Sequence, residues 1–205
     1  MIHELRSYRL KPGKAAAYLG LLAREGLPHV TRHLPLLGYW LTETGRLNVI
    51  HHLWAYADWE ERGAARAGLA TEAAWNEGFI PEAFQWVEEQ ENLFLTLTRS
   101  GPAYEAALAA RRRPHAARPA GEPLMAAEVA ALSFCAAGPA LPASAEEGGG
   151  AEGGVIAEWT VASGAAPGRI VTLHPRGAVP APPATVAPGR LLRHEIIRPL
   201  AFSPL

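Results

Sequence analysis

Residues 37–58, LGYWLTETGRLNVIHHLWAYAD, decide the fold of this chain. An apolar and aromatic run at 37–42 is followed by a polar turn at 43–46 and a second long apolar run at 47–56. Gly45 supplies the turn with a residue that tolerates positive φ. The segment therefore predicts a β-hairpin.

The second strand of this hairpin has two faces of different character, because side chains alternate across a sheet. One face is mostly aliphatic and carries Val49, His51, Leu53 and Ala55. The other carries Asn48, Ile50, His52, Trp54 and Tyr56. We expect the first face to pack on helices, with His51 as a core histidine bonded to a helix residue. We expect the second face to form the wall of a pocket or an interface.

Composition limits the class of protein. The 205 residues are 49% hydrophobic and 19% charged with a net charge of −1, which is typical of a soluble globular protein of one or two domains. The sequence shows no signal peptide and no run long enough to span a membrane. Cys135 is the one cysteine, so no internal disulfide forms, which fits a reducing cytoplasm. The alanine, glycine, arginine and proline bias suggests a bacterial source.

The first hundred residues predict the order strand, helix, strand, strand, helix, strand. The strands are expected at 2–10, 37–42, 47–56 and 92–99, and the helices at 14–25, with one more turn at 29–34, and from 59 to about 89. Asp58 is the expected N-cap of the second helix, with Glu61 as its capping-box partner. This order is that of a split β-α-β, ferredoxin-like unit, with the first and third strands central in an antiparallel sheet.

The rest of the chain looks like a reduced copy of this unit. We predict a short helix at 103–113 and a linker to 122, then a segment at 124–134 that is either strand or helix. A flexible loop at 138–154, a hairpin at 155–174, a proline-rich connection at 175–188 and a last strand at 190–200 follow. We therefore expect a ferredoxin-like domain at 1–100, a helix and linker at 101–122, and a reduced ferredoxin-like half at 123–205. Either this half or a second subunit must cover the first sheet.

Several segments resemble the NIPSNAP family. They are ELRSYRLKPG at 4–13, GYW at 38–40, LN at 47–48, HLWAY at 52–56, QEN at 90–92 and the closing PLAFSPL at 199–205. The resemblance covers residues 2–99 and the last few positions. It implies an α+β fold of the dimeric α+β-barrel type, here as a homodimer or as an intrachain pseudo-dimer. Proteins of this superfamily include cofactor-independent oxygenases, isomerases, decarboxylases and haem-handling proteins, so the resemblance implies a fold more than a reaction.

The parity of the strands gathers one set of polar and aromatic side chains on the open face of the sheet: Glu4, Arg6, Tyr8, His52, Trp54, Tyr56 and Asn92. His52 is the candidate acid or base, Glu4 the carboxylate beside it, and Arg6 and Asn92 the candidates to hold an oxyanion. Tyr8, Trp54, Tyr56, Tyr39 and Trp40 are expected to bind the substrate. The alternative is a buried polar network in which Glu4 and Arg6 simply pair.

Three functions remain open from the sequence. The first is an enzyme of secondary metabolism that needs neither a metal nor an organic cofactor and acts on an apolar or aromatic metabolite by proton transfer, isomerisation, cyclisation or oxygenation. The second is a protein that binds a small molecule or haem without catalysis, and the third is an assembly module. The sequence has no P-loop, dinucleotide glycine pattern, nucleophile elbow, zinc motif or basic stripe. We therefore expect no nucleotide-driven chemistry, no triad hydrolysis, no nucleic-acid partner and no membrane partner.

Overall fold

The computed structural model describes residues 1–137, 155–177 and 190–205. The described strands are β1 Ile2–Leu10, β2 Leu36–Thr42, β3 Val49–Tyr56, β4 Val87–Ser100, β5 Val129–Cys135, β6 Ala157–Ser163, β7 Ile170–Gly177 and β8 Leu191–Pro199. The α-helices are α1 Ala15–Leu21, α2 Leu27–His33, α3 Trp59–Ala70, α4 Ile80–Ala83 and α5 Pro102–Ala110. Two π-helical turns, Leu22–Gly26 and Ala74–Phe79, and a 3₁₀ turn, Phe84–Trp86, complete the helical layer. The predicted loop at 138–154 and most of the predicted connection at 175–188 lie outside the described residues.

The eight described strands form one closed antiparallel barrel in the order β1-β3-β2-β8-β5-β7-β6-β4. Strands β1 to β4 are adjacent to one another, and so are β5 to β8. The pairs β2–β8 and β4–β6 join the two sets and leave no free edge among these strands. The fold is therefore α+β, as predicted.

The hairpin at 37–58 forms as predicted, with small shifts at its turn. Tyr39 in β2 lies opposite His52 in β3, and Gly45 has a φ of +78°. Asn48 also has a positive φ, of 60°, so the loop extends to residue 48 and β3 begins at Val49. Both turn positions are residue types that tolerate this region.

The C-terminal end of the helical layer lies earlier in the sequence than predicted. Asp58 caps α3 by accepting a hydrogen bond from the Glu61 amide at 2.8 Å, as predicted. The helical zone ends at Trp86, however, and β4 begins at Val87, five residues before the expected strand. Residues 88–90 are good helix formers, but Glu89 and Gln90 pair with β1, and this tertiary pairing overrides the local preference.

The two faces of the hairpin are exchanged relative to our prediction. The aliphatic face points into the barrel, where Leu5, Leu53 and Leu93 pack with residues of the second half such as Trp159 and Val171. The aromatic and polar face, which we expected to be open, lies under α1 to α4, so the open-face assignment was wrong. An eight-stranded barrel has an interior just wide enough for side chains to fill, and the aliphatic residues of both halves fill it.

The predicted register is nevertheless correct. Arg6 lies opposite His52 on one side and Asn92 on the other, and Glu4 lies opposite Trp54. The even-numbered residues of β1, β3 and β4 therefore do share one face. The same pairing puts Ser7 and His51 together on the interior face, so His51 does not meet a helix residue as we expected.

Helix α5 packs against one end of the barrel. Tyr104 and Ala107 belong to the interior core, and the Tyr104 hydroxyl is hydrogen-bonded to His3 Nε2 at 2.5 Å. Burial lowers the pKa of the unexposed His3 to about 4, and the N-terminal ammonium group acts in the same direction. His3 is therefore neutral in the folded protein at neutral pH.

Acidification is expected to destabilise the protein through His3. The unfolded chain takes up a proton at His3 near its ordinary pKa of 6.5, whereas the folded chain does so only near pH 4. The His3 contribution to stability is complete above pH ~6.5 and falls by about 3 kcal/mol on the way to pH ~4. Urea unfolding of the His3→Gln variant should show a flatter dependence on pH than the wild type. Tyr104→Phe is the control, since it should lower stability but keep the slope; an unchanged slope in His3→Gln would contradict the argument.

In the part of the chain that the structure describes, no helix is both long enough and apolar enough to cross a membrane.

Candidate functional site

Five of the predicted site residues line one small cavity between the sheet and the helices, which we call the helix-side cavity. They are Arg6, Tyr8, Tyr39, His52 and Trp54. Its volume is about 50 Å³. The pairing of the strands brings these side chains together, since Arg6 and Tyr39 both lie opposite His52, and α1 to α4 cover them.

Beside the cavity lies an ionic network around Glu4, which is fully buried. The Glu4 carboxylate accepts hydrogen bonds from Arg6 at 3.2 Å, Arg62 at 2.8 and 3.0 Å, Arg66 at 2.8 Å and the Asn92 amide at 2.9 Å. Burial by itself raises the pKa of Glu4, but the Arg62 hydrogen bond and the three guanidinium charges outweigh it and lower that pKa. Three positive charges face one negative charge, so the network has an excess of positive charge.

His52 is held as a neutral hydrogen-bond donor. Its Nδ1 accepts a hydrogen bond from the Trp54 indole at 2.7 Å, and the Tyr39 ring stacks on it at 4.9 Å. Because an indole N–H can only donate, the imidazole proton must be on Nε2. Burial, with the charge of Arg6 next, lowers the pKa of His52 well below 6.5, so the ring is neutral. Nε2 is buried and has no hydrogen-bond partner among the described residues.

Three tyrosine hydroxyls lie around the cavity, and at most two of their protons remain as donors, because one is used in a hydrogen bond between two of the tyrosines. Arg6 Nε donates to the Tyr8 hydroxyl at 3.1 Å, and the Tyr18 and Tyr39 hydroxyls are hydrogen-bonded to each other. Burial raises the pKa of all three above the ordinary value of 10. They are therefore protonated at neutral pH.

The helical wall of the cavity is apolar and includes both π-helical turns. Its apolar lining residues are Leu22, Val30, Leu34, Leu69, Trp75 and Phe84. Leu22 belongs to the first π-helical turn and Trp75 to the second. The two turns approach closely at Gly26, where a Cβ would lie 3.0 Å from Phe79. Such turns occur frequently at functional sites, and here each contributes one residue to the wall of the cavity.

The remaining predicted residues are placed differently. Glu4 and Asn92 lie in the ionic network beside the cavity, where the Asn92 NH₂ group donates to Glu4 and Asn92 Oδ1 has no partner among the described residues. Tyr56 lies on the same face, and its hydroxyl has no partner among the described residues. Trp40 points into the barrel, so its predicted role in the same pocket as Tyr39 was wrong. Adjacent residues of a strand face opposite ways, and only one of the two can reach the cavity.

Sequence reasoning missed three residues of the helix side. Arg62 and Arg66 from α3 bind Glu4, and Tyr18 from α1 lines the cavity. The spacing of Arg62, Arg66 and Leu69 along α3 is that of one helix face, which is the signal that would have found the two arginines.

A second cavity lies on the other side of the same strands, at the barrel end away from α5. We call it the barrel-mouth cavity; it has a volume of about 150 Å³ and is lined by Ser7, His51, Glu195 and several arginines. The Ser7 hydroxyl is hydrogen-bonded to His51 Nδ1 at 2.7 Å, and His51 Nε2 to Glu195 at 3.2 Å. The sequence offered no means of finding this set, because Glu195 is 144 residues from His51.

The buried polar site of this α+β barrel lies in the first hundred residues of the chain. Comparison with known proteins assigns the chain to a family. The NIPSNAP family model matches residues 3–102. Over 94 residues the chain is 34% identical to the human protein NipSnap homolog 3A, a match to 45% of this chain and 37% of that protein. The chain thus spans little more than a third of this curated relative.

Two solved structures match the first half. An uncharacterized NIPSNAP domain protein from Burkholderia xenovorans is 35% identical and matches 50% of this chain and 99% of its own, with a TM-score of 0.47. A NIPSNAP family protein from Agrobacterium tumefaciens is 36% identical and matches 50% of this chain and 92% of its own, also with a TM-score of 0.47. The chain belongs to the NIPSNAP family, and the resemblance found in its sequence is confirmed.

Proposed function

We propose that this protein is a small-molecule enzyme that works in the helix-side cavity without a tightly bound organic cofactor. One observation carries the proposal: His52 lines the cavity, and its Nε2–H is buried and has no partner among the described residues. A buried donor without a partner is costly, by about 1–3 kcal/mol, so a ligand atom that accepts this hydrogen bond is favoured.

The ligand atom is an oxygen that carries or develops negative charge. His52 supplies a neutral donor, and Arg6 and Arg66, which also line the cavity, supply positive charge in excess of Glu4. This arrangement stabilises an enolate, a phenolate or a carboxylate. The reactions it supports are proton transfer next to a carbonyl, isomerisation, cyclisation, or oxygenation of a carbanion.

In this scheme His52 is the acid and oxyanion donor, in contact with substrate, and the proton that leaves the substrate carbon passes to solvent water. Glu4 and Asn92 are positioning residues, since the Glu4 carboxylate is engaged with the arginines and the Asn92 NH₂ group donates to it. Protonating His52 would require a charged imidazole in a site whose nearest charges are positive. The acid role is therefore favoured over the base role.

The size of the cavity limits the ligand. An engineered cavity of about 150 Å³ binds benzene, whereas the helix-side cavity has about 50 Å³. The resting protein therefore accommodates the oxyanion end of a small metabolite. An aromatic substrate requires the two π-helical turns to move away from the sheet.

The same cavity favours non-catalytic binding as the second candidate. Its described lining contains arginines and hydroxyl donors but no carboxylate, so it offers no evident proton acceptor. The two candidates differ in whether a proton is transferred to or from the bound molecule.

The variant His52→Gln should separate the two candidates. A Gln amide donates a hydrogen bond but does not transfer a proton, so affinity for pyruvate is kept, while exchange of the pyruvate methyl protons with D₂O falls by about 100-fold or more. Affinity is measured by calorimetry and exchange by proton NMR. Trp54→Phe is the companion variant. It keeps an aromatic ring at position 54 but removes the indole N–H that fixes the His52 proton on Nε2. Binding without any exchange by the wild type supports the binding protein, and an unchanged exchange rate in His52→Gln excludes His52 as the acid.

For the fold, we propose an intrachain pseudo-dimer of the dimeric α+β-barrel type. Residues 1–100 would be one ferredoxin-like domain, 101–122 a helix and linker, and 123–205 the reduced second half. The strand order supports this. When β5 to β8 are renumbered as strands 1 to 4, the order β8-β5-β7-β6 becomes 4-1-3-2, which is the order of β4-β1-β3-β2 in the first half. Light scattering after gel filtration should then give the mass of one chain; a stable homodimer would contradict it.

A further inference from the structure

The barrel-mouth cavity contains a serine, a histidine and a carboxylate in series, on the opposite side of the sheet from the helix-side cavity. Ser7 is in β1, His51 in β3 and Glu195 in β8. We propose that this set is a second catalytic site, in which Ser7 is the nucleophile that hydrolyses esters of short-chain acids. The barrel-mouth cavity has no lining residue in common with the helix-side cavity.

The hydrogen bonds fix the role of each group. Glu195 is almost fully buried and lies 3.2 Å from His51 Nε2, so the carboxylate holds the imidazole proton on Nε2. The lone pair of Nδ1 then faces the Ser7 hydroxyl at 2.7 Å. A nucleophile within reach of a base that is oriented by a third group is the arrangement that activates a hydroxyl. In chymotrypsin-like enzymes Nε2 faces the serine and Nδ1 the carboxylate, whereas here Nδ1 faces Ser7 and Nε2 faces Glu195. The imidazole is still the base and the carboxylate still orients it.

The cavity offers a donor for the oxyanion of the intermediate. Arg193 lines it, and Arg193 Nε has no hydrogen-bond partner among the described residues, although it lies 3.4 Å from Glu195 Oε1. The Arg193 guanidinium also lies over the Phe134 ring, with its Cζ 3.8 Å from the ring centroid. An arginine fixed in this way provides positive charge to a developing oxyanion without leaving its position.

The dimensions and charge of the cavity define the substrate class. A volume of about 150 Å³ accommodates a short acyl chain and little more. At the rim, Arg9 and Arg46 are paired with Glu88 and Glu89 at 3.1 and 3.3 Å, so the entrance selects for neither sign of charge. A neutral ester of a short acid fits these limits.

The proposed reaction proceeds in two balanced steps. The Ser7 oxygen forms a bond to the acyl carbon as its proton moves to His51 Nδ1; the ester C–O bond breaks, and the leaving alcohol takes that proton. A water molecule then attacks the acyl-enzyme and gives a proton to His51, and Ser7 leaves the acyl carbon with that proton. The products are one acid and one alcohol, and no oxidant or reductant is needed.

The test is acetylation of Ser7 by 4-nitrophenyl acetate. Mass spectrometry of the rapidly quenched wild-type protein should find one acetyl group on the peptide that contains Ser7. Release of 4-nitrophenolate should fall by about 100-fold or more in Ser7→Ala and in Glu195→Gln. The wild-type peptide map does not depend on the folding of any variant.

Ser133 provides a matched control. Its hydroxyl is hydrogen-bonded to His174 and His194, each at 2.8 Å, at a different place in the barrel. Ser133→Ala should therefore keep both the acetylation of Ser7 and the rate. Absence of acetyl-Ser7, or equal rates in Ser7→Ala and the wild type, overturns the proposal, and neither result bears on the exchange reaction proposed for His52.

Discussion

Replacing Glu4 by Gln is expected to lower the free energy of unfolding by about 3–5 kcal/mol. Within the part of the chain that the structure describes, Glu4 is the one carboxylate that accepts from three guanidinium groups, those of Arg6, Arg62 and Arg66. The Gln side chain keeps the shape but removes the charge, so three partly buried cations lose their counter-ion. Its amide also brings two N–H donors to a site already supplied with donors.

The consequence extends from the sheet to the helical layer. Arg62 and Arg66 are in α3, and their bonds to Glu4 fix this helix against β1 above the helix-side cavity. We therefore expect α3 to lose protection from hydrogen exchange in Glu4→Gln before the barrel strands do. Urea unfolding at neutral pH measures the global effect, and hydrogen exchange measures the local one.

A matched control is Glu89→Gln. Glu89 also contacts two arginines, Arg9 at 3.5 Å and Arg46 at 3.3 Å, but about half of its side chain is exposed. An exposed pair contributes about 0–1 kcal/mol, so this variant should be close to the wild type. Equal losses in the two variants would show that burial of Glu4 has no special effect.

The pH dependence gives a second check on Glu4. Its folded pKa is lowered, so its contribution to stability is present above its ordinary pKa of 4.5 and is lost as the pH falls through the folded value. The difference in stability between the wild type and Glu4→Gln should therefore shrink at acid pH. A constant difference would argue against an ionic origin.

The sequence predicted the register of the first four strands but not the side that each face occupies. Alternation puts Glu4, Arg6, His52 and Trp54 on one face whatever covers it, so their proximity follows from parity alone. Which face the helices cover depends on whether the barrel closes and what fills it. In this protein β5 to β8 contribute aliphatic residues to the interior, and the aliphatic face joins them there.

The tautomer of His52 and the grouping of Ser7, His51 and Glu195 could not be predicted from the sequence, for a different reason. His52 and Trp54 are two residues apart in one strand, so their proximity was expected, but the direction of the indole N–H depends on its rotamer. Glu195 meets His51 only because β8 pairs with β2 and closes the barrel. A local sequence pattern cannot predict this pairing, because the two strands are separated by most of the chain.

Gly38→Ala is the second substitution expected to have a large effect. A Cβ at this position would lie 2.0 Å from Trp40 Cη2 and 2.2 Å from Cζ2, far inside van der Waals contact. Trp40 is almost fully buried in the barrel interior, so its indole moves away only by displacing other core residues. We expect a loss at or above the upper end of the ~1–3 kcal/mol typical of overpacking, measured by urea unfolding.

Because the cause is one side chain, the loss should depend on Trp40. Trp40→Leu alone is costly, since it leaves a cavity, but it removes the atoms that the new methyl group meets. The double variant should therefore be more stable than the sum of the two single losses predicts, by about 1–3 kcal/mol. Gly63→Ala is the control, since a Cβ there meets nothing within 4 Å and alanine favours helix α3. If the two losses were strictly additive, Gly38 would be required because of its backbone conformation and not because the Trp40 indole lies so close to it.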